Sequence, residues 1–371
     1  PLFMTTAPRL TVNLSAISKN WQVLEDKSGE AETAAVVKAD AYGLGLEMIG
    51  PVLWETGCHT FFVAMVEEGL RLRRAVPGAR IFVLNGIFAD TVSTALEFDL
   101  APVLSTQEQI GLWKTSAHGK PCAIHVDTGM NRLGLTLDDA ETLADDPSAL
   151  SASGATLVMS HLACADDPDH ALNGLQLSRF QQISSLFSNL EKSLANSAAV
   201  LTNEAACFDL TRPGIAIYGG EAVNDFANPM EPVVRAESRI LQIRSAKKGE
   251  TIGYGASHIL TRDSKIAICS IGYADGIHRS LSGSGVPLRN SRTGGGYGAI
   301  ENNLVPMIGR VSMDLTAFDV TDVPETLLKQ TSWIELFGRN ILIDEIARAC
   351  GTIGYELLTN LGRRYQREYT E

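Results

Sequence analysis

The chain has 371 residues, 45% hydrophobic and 20% charged, a balance that excludes disordered and collagen-like classes. Its 43 acidic against 31 basic residues leave a net charge of −12. That excludes a protein coating duplex nucleic acid, which needs a basic footprint. Six scattered cysteines without a C-x-x-C pair read as reduced core thiols. No apolar stretch approaches the ~20 residues of a membrane span. The opening Pro1-Leu-Phe-Met-Thr-Thr lacks the basic-then-apolar pattern of a secretory signal, so a cytoplasmic protein without membrane or nucleic-acid partners is expected.

Over residues 1–235, short apolar runs alternate with amphipathic stretches. The runs are Ala34–Lys38, Phe61–Ala64, Ile81–Leu84, Ala101–Leu104, Cys122–Val126, Thr156–Met159, Lys192–Ala195 and Gly214–Tyr218. Glu67–Ala75, Gln107–Ser116 and Leu177–Phe187 carry helical periodicity between them. Strands alternating with helices imply a parallel sheet, and eight such units about 20–35 residues apart predict a (β/α)8 barrel of the α/β class. From 236 to 371 the texture changes. Arg239–Ile243, Ile266–Ile271, Pro306–Phe318 and Ser332–Leu336 read as strands separated by glycine-rich turns such as Gly294-Gly-Gly-Tyr-Gly298, and Ile341–Cys350 as the one solid helix. This predicts a second, mostly antiparallel β domain.

In a barrel, functional side chains gather where strands end. The first run ends in Lys38 behind Ala34-Ala-Val-Val37. Desolvation lowers a lysine pKa from roughly 10.4 and yields a neutral amine able to form a Schiff base. Taken alone, Lys38 also reads as a strand-end lysine with its head in water. The fifth run leads into His125-Val-Asp127-Thr-Gly129-Met-Asn131-Arg132, and the sixth into Ser160-His161. Asn196-Ser197 and Arg212-Pro-Gly214-Ile215 accompany the last two runs, where barrels hold phosphate on backbone N–H groups and a hydroxyl. Ser197 equally fits a plain helix N-cap. A reactive lysine and a phosphate cradle in one mouth predict pyridoxal 5'-phosphate, an aldehyde with a phosphate handle. The acidic stretch to His170 shows no tidy ligand spacing, so no metal is expected.

Val36-Val-Lys38-Ala-Asp40-Ala-Tyr42-Gly-Leu-Gly45 resembles the cofactor-lysine signature of the alanine racemases, fold-type III pyridoxal-phosphate enzymes. The resemblance continues in Asp127–Gly134, Ser160-His161, Ala195–Ala198 and Arg212–Gly219. It extends into the second domain through Gly253–Ala256, Ile271–Gly276, Gly309–Asp314 and Thr352–Glu356. It implies an isomerase that interconverts L- and D-alanine, for wall synthesis or alanine catabolism, as a homodimer with shared active sites. Lys38 would be the cofactor-linked lysine and one acid/base group, and Tyr254 from the partner subunit the other. Racemisation needs a base on one face of a planar carbanion and an acid on the other. Arg212 would face the pyridine nitrogen, with His161 linking it to Tyr254. Tyr42, Ser197, Gly214, Ile215 and Tyr355 match phosphate-binding positions. Arg132 matches the residue on the phenolic oxygen, and the Met313 backbone a contact to the substrate carboxylate. Tyr273, Asp166, Arg279 and Arg310 resemble the lining of a narrow access channel. One departure is His125, where many relatives carry a carbamylated lysine that holds the arginine. Arg132 would then be held by His125 directly, by an anion such as chloride, or by water.

Other readings stay open. A serine or broad-specificity racemase would share the fold, although Tyr355 narrows the site towards alanine. A decarboxylase is disfavoured by Arg212, because that reaction profits from a protonated pyridine. A cofactor carrier without turnover is disfavoured by the second domain and its Tyr254.

Overall fold

A computed structural model describes residues 6–284 and 295–371, so Pro1 to Thr5 and Gly294 of the glycine-rich turn lie outside the described residues. Two compact units emerge, Ile17–Glu231 and a second joining residues up to Ala16 with Pro232–Glu371.

In the first unit, parallel strands run in sequence order: Ala35–Val36, Thr60–Val63, Arg80–Val83, Ala101–Leu104, Cys122–His125, Ala155–Met159 and Glu191–Ser193. The runs Phe61–Val63, Ile81–Val83 and Cys122–Ile124 are buried throughout, as expected of strands covered on both faces. Phe62 stacks on Phe82 at 5.0 Å inside. The eighth strand is Leu210–Thr211, not the Gly214–Tyr218 run expected from sequence. It pairs parallel with Glu32–Thr33, the lower half of the first strand. It also meets the seventh strand through Asp209 N–H to Lys192 O and Arg212 N–H to Ala195 O. The ring of strands is thereby closed into a (β/α)8 barrel. The apolar Ile215–Tyr218 instead forms a buried 3-10 turn beneath the mouth.

The second unit is a closed antiparallel barrel followed by flanking strands. Ser264–Cys269, Thr316–Asp319, Asn303–Ile308, Tyr297–Ile300, Trp333–Phe337 and Val234–Ala246 pair in that order, and the last returns to the first. The expected strand Pro306–Phe318 is thus two strands, one ending at Ile308 and the next beginning at Thr316. Short helices Glu325–Gln330 and Gly354–Thr359 accompany Ile343–Cys350. The N-terminal segment, assigned from sequence to the barrel, belongs here. Arg9–Asn13 pairs antiparallel with Val234–Glu237 and parallel with Gln366–Thr370. Its anchor is Arg9, whose Nε and Nη2 donate to buried Glu237 at 3.0 and 2.7 Å, with the guanidinium 4.5 Å from the Trp333 ring. All six cysteines are free thiols. Among the described residues no helix is long and apolar enough to cross a membrane.

Candidate active site

Lys38 stands just past the first barrel strand, at the head of an unusual turn. Ala39, Asp40 and Ala41 have φ of 53°, 59° and 52°, and Tyr42 follows at 56°. Left-handed backbone costs an L-residue about 1–2 kcal/mol, so four non-glycine residues in succession sum to several kcal/mol. Such conformations persist where surrounding contacts impose them, and they concentrate at functional sites. The Lys38 amine makes no hydrogen bond or ion pair with a described residue. Burial pulls its pKa below the ordinary 10.5, the Arg132 charge pulls it further, and Glu68 opposes both. The result favours a neutral, nucleophilic amine.

Arg212 is 4% exposed, yet among the described residues no carboxylate forms an ion pair with it. Its Nη1 donates to Ser193 Oγ at 2.5 Å, and Nη2 donates to Ser160 O at 2.5 Å and approaches His161 Nδ1 at 3.5 Å. Burial lowers its pKa to about 9, which leaves it charged at neutral pH. A buried cation whose partners are all neutral is costly and favours an electron-rich ligand beside it. It also acts on its neighbours. Burial, then Arg212 and Arg132, hold His161 well below its ordinary 6.5, and the same causes bring His125 down to about 4. Both imidazoles are therefore neutral, and His125 Nδ1 lies 3.3 Å from Ser105 Oγ. Arg132 itself is exposed and makes no hydrogen bond or ion pair with a described residue. The loop carrying it is fixed by buried Gln176, which donates to Thr128 Oγ1 and to His161 O.

The cap of helix Ser197–Thr202 is Asn196, whose Oδ1 accepts from Ala199 N–H. That frees the buried Ser197 hydroxyl from the capping role open to it from sequence. Its Oγ accepts from Gly214 N–H at 2.7 Å. Gly214 is required sterically, since a Cβ there would stand 2.4 Å from Tyr42 Oη. Tyr42 stacks on Tyr218 at 4.5 Å, and Tyr218 Oη donates to Val36 O. Tyr42, Ser197 and Gly214 thus stand together beside the lysine turn, with Ile215 next in the chain. Asp166 lies on an exposed loop, where its Oδ2 accepts from Asn224 Nδ2. His170 is a helix cap, with Nδ1 accepting from Leu172 N–H.

On the second unit, Tyr254 opens a 3-10 turn between Gly253 and Gly255, both with φ near 70°. Its side chain is 73% exposed. A pocket of about 520 Å³ beside it is lined by Ile252, Gly253, Ile268, Ser312 and Ala317 among others. The Arg310 guanidinium packs under Gly255, where a Cβ would come within 2.8 Å. Tyr273 N–H donates to Ser312 O and Ala274 N–H to Met313 O. Arg364 grips buried Asp275 with Nε and Nη2 and also reaches Asp314, fixing both loops. Tyr355 and Arg279 lie on the same unit, on helix Gly354–Thr359 and the 3-10 turn Arg279–Leu281.

Family models for the N-terminal and C-terminal domains of alanine racemase match residues 12–222 and 233–369. The chain belongs to the alanine racemase family. It is 54% identical over 364 residues to the biosynthetic alanine racemase of Agrobacterium fabrum, covering 97% of this chain and 93% of that one. The catabolic alanine racemase of the same organism is 40% identical over 367 residues, covering 98% of this chain and 92% of that one. Among solved structures, alanine racemase from Bartonella henselae, with covalently bound pyridoxal phosphate, superposes with a TM-score of 0.90 at 33% identity. That match covers 99% of this chain and 100% of the other.

Against this family background, one group escaped the sequence reading. Glu68 is buried and accepts from the Ala39, Ala64 and Met65 amides. In sequence it is one of two adjacent first-turn acids, Glu67 and Glu68. Only the direction of the helix shows which one turns inward.

Proposed function

We propose that the chain is a pyridoxal-phosphate-dependent isomerase that interconverts L- and D-alanine. The observation that carries this reading is the unpartnered, pKa-lowered Lys38 amine at the head of its left-handed turn, in a chain of this family. The residues fit the cofactor. Lys38 is free to join its aldehyde, buried Arg212 is a fixed cation for the ring nitrogen, and the Ser197–Gly214–Tyr42 cradle suits the phosphate. When bound, the cofactor supplies a carbonyl for the substrate amine and an electron-withdrawing ring that acidifies the α-carbon proton.

The chain's own groups do the rest. Lys38 Nζ takes or returns the proton on one face, and the Tyr254 hydroxyl acts on the opposite face. Arg212 would hold the cofactor's ring nitrogen and, by leaving it unprotonated, limit charge withdrawal and side reactions, while neutral His161 would link it to Tyr254. Arg132 would hold the phenolic oxygen, and Tyr355 and Ile215 would add to the phosphate set. Met313 offers its backbone N–H to the substrate carboxylate, and Tyr273, Asp166, Arg279 and Arg310 narrow the approach. We assign the complete site to a homodimer, in which Tyr254 enters the partner's barrel mouth. The exposure of Tyr254, Met313, Tyr273 and Tyr355 on one unit supports a covering surface. Free thiols favour the cytoplasm. The greater likeness to the biosynthetic than to the catabolic relative favours supply of D-alanine to the cell wall.

The test is exchange of the α-proton of L- and D-alanine in deuterium oxide, with serine and lysine as comparisons. Exchange and racemisation of both alanine enantiomers are expected. Faster exchange of serine than alanine would move the activity to a serine racemase, and no exchange of any amino acid would end the reading.

A further inference from the structure

The left-handed turn behind Lys38 is held from one neighbouring helix, Val66–Ala75. Glu68 and Arg71, three residues apart, share one helical face. Glu68 Oε1 accepts from Ala39 N–H at 2.7 Å, while Oε2 accepts from Ala64 N–H at 2.7 Å and Met65 N–H at 3.3 Å. One buried carboxylate therefore ties the first residue of the turn to the end of the second barrel strand. Arg71 clamps the next residue, with Nη2 donating to Asp40 Oδ1 at 2.6 Å, and is itself held by both oxygens of Glu47. Asp40 Oδ1 also accepts from Leu46 N–H, which closes the loop beyond the turn. The groups whose charge acts on Lys38 are Arg132 and Glu68, and Lys38 acts in turn on His161. Glu68 is the anion of that set.

Resting on the cofactor reading above, we propose that Glu68 is a positioning residue for Lys38. Its carboxylate locks the Ala39 amide, and with it the left-handed turn, so that the amine meets the cofactor aldehyde in one orientation. In that capture the nitrogen bonds to the aldehyde carbon, and the carbonyl oxygen leaves as water with the two amine hydrogens. A glutamine at position 68 keeps the shape but turns an amide N–H₂ towards backbone donors. An aspartate keeps the charge but not the reach.

Full-length apoprotein of wild type, Glu68→Gln and Glu68→Asp is mixed with pyridoxal phosphate, and uptake is followed by the visible absorbance it creates. Separately, trace acetic anhydride labelling of Lys38 across a pH series, read by peptide mass spectrometry, gives the titration of the amine without cofactor. Glu68→Gln is expected to slow uptake at least about tenfold, since small misplacements of a reacting group carry large rate effects. It should also move the Lys38 labelling midpoint to lower pH, because the opposing anion is gone. In the reconstituted enzyme kcat for alanine should fall with KM changed less than about threefold. Glu68→Asp should recover part of the uptake rate. Wild-type uptake and an unmoved midpoint in Glu68→Gln overturn the proposal, whatever its melting temperature. If that variant does not fold, Glu68→Asp decides, with uptake about three- to tenfold slower expected and wild-type uptake contradicting. No uptake by wild type would sink the cofactor reading instead, and the labelling midpoint would still test Glu68.

Discussion

The barrel mouth and the Tyr254 turn put reactive groups in opposite physical settings. Around Lys38 almost everything is fixed. Four left-handed residues are imposed by Glu68, Arg71 and the Tyr42–Tyr218 stack, and Arg212 is buried among neutral oxygens that cannot balance it. Around Tyr254 almost nothing covers the side chain, which is 73% exposed on a turn flanked by two glycines at positive φ. The first setting tunes a pKa by burial and by the charges of Arg132 and Glu68, all within the first unit. The second presents an exposed hydroxyl, which the proposed homodimer would cover with the partner's barrel mouth. The proposed two-base reaction would draw on both settings, one rigid and one exposed.

The sharpest break in the contrast is Lys38→Ala, which should abolish the cofactor's visible band and lower kcat/KM by about 10⁴-fold or more. Retention of the band would mean that another amine holds the cofactor. Tyr254→Phe should leave cofactor content and melting temperature at wild-type values while slowing racemisation by about 10²–10⁴-fold, the usual weight of a general acid or base. A loss of cofactor in this variant would place the tyrosine in binding instead.

The fixed electrostatics of the mouth give a pH signature. His125 titrates at about 4 when folded against 6.5 ordinarily. Between those values the unfolded chain takes up a proton that the folded chain refuses, so stability falls as pH drops through that window and levels off below it. The expected loss is about 3 kcal/mol from this site. Denaturant melts at pH 7.5 and 4.5 should show a smaller drop in His125→Phe than in wild type, and an equal drop would mean that the imidazole is solvated. Smallest is Ser197→Ala, which strands the buried Gly214 N–H. It should weaken cofactor binding by about 1–3 kcal/mol, measured by equilibrium titration of the apoprotein. Unchanged affinity would remove Ser197 from the cradle.

Much of this was legible in sequence because the signals were local. Apolar runs at regular spacing marked the barrel, and Lys38, His161, Ser197 and Arg212 fell at strand ends where a barrel gathers its chemistry. Misreadings arose where tertiary pairing overrode local pattern. Gly214–Tyr218 is as apolar as a strand, yet the last strand is the less apolar Leu210–Thr211, because only that segment reaches Glu32–Thr33 to close the ring. The N-terminal strand left the barrel because Arg9 finds Glu237 and Trp333, partners more than 200 residues away that no local signal reveals. Glu68 was hidden for a similar reason, since its function lies in accepting backbone amides and leaves no motif.

The proposed homodimer requires that the rigid half and the exposed half of each site come from different chains. Lys38→Ala and Tyr254→Phe, each nearly inactive, can be mixed, unfolded and refolded together. If every site joins Lys38 of one chain to Tyr254 of another, mixed dimers carry one intact site, and statistical pairing should restore about a quarter of wild-type alanine racemisation. Activity no greater than the sum of the two separate variants would contradict a shared site.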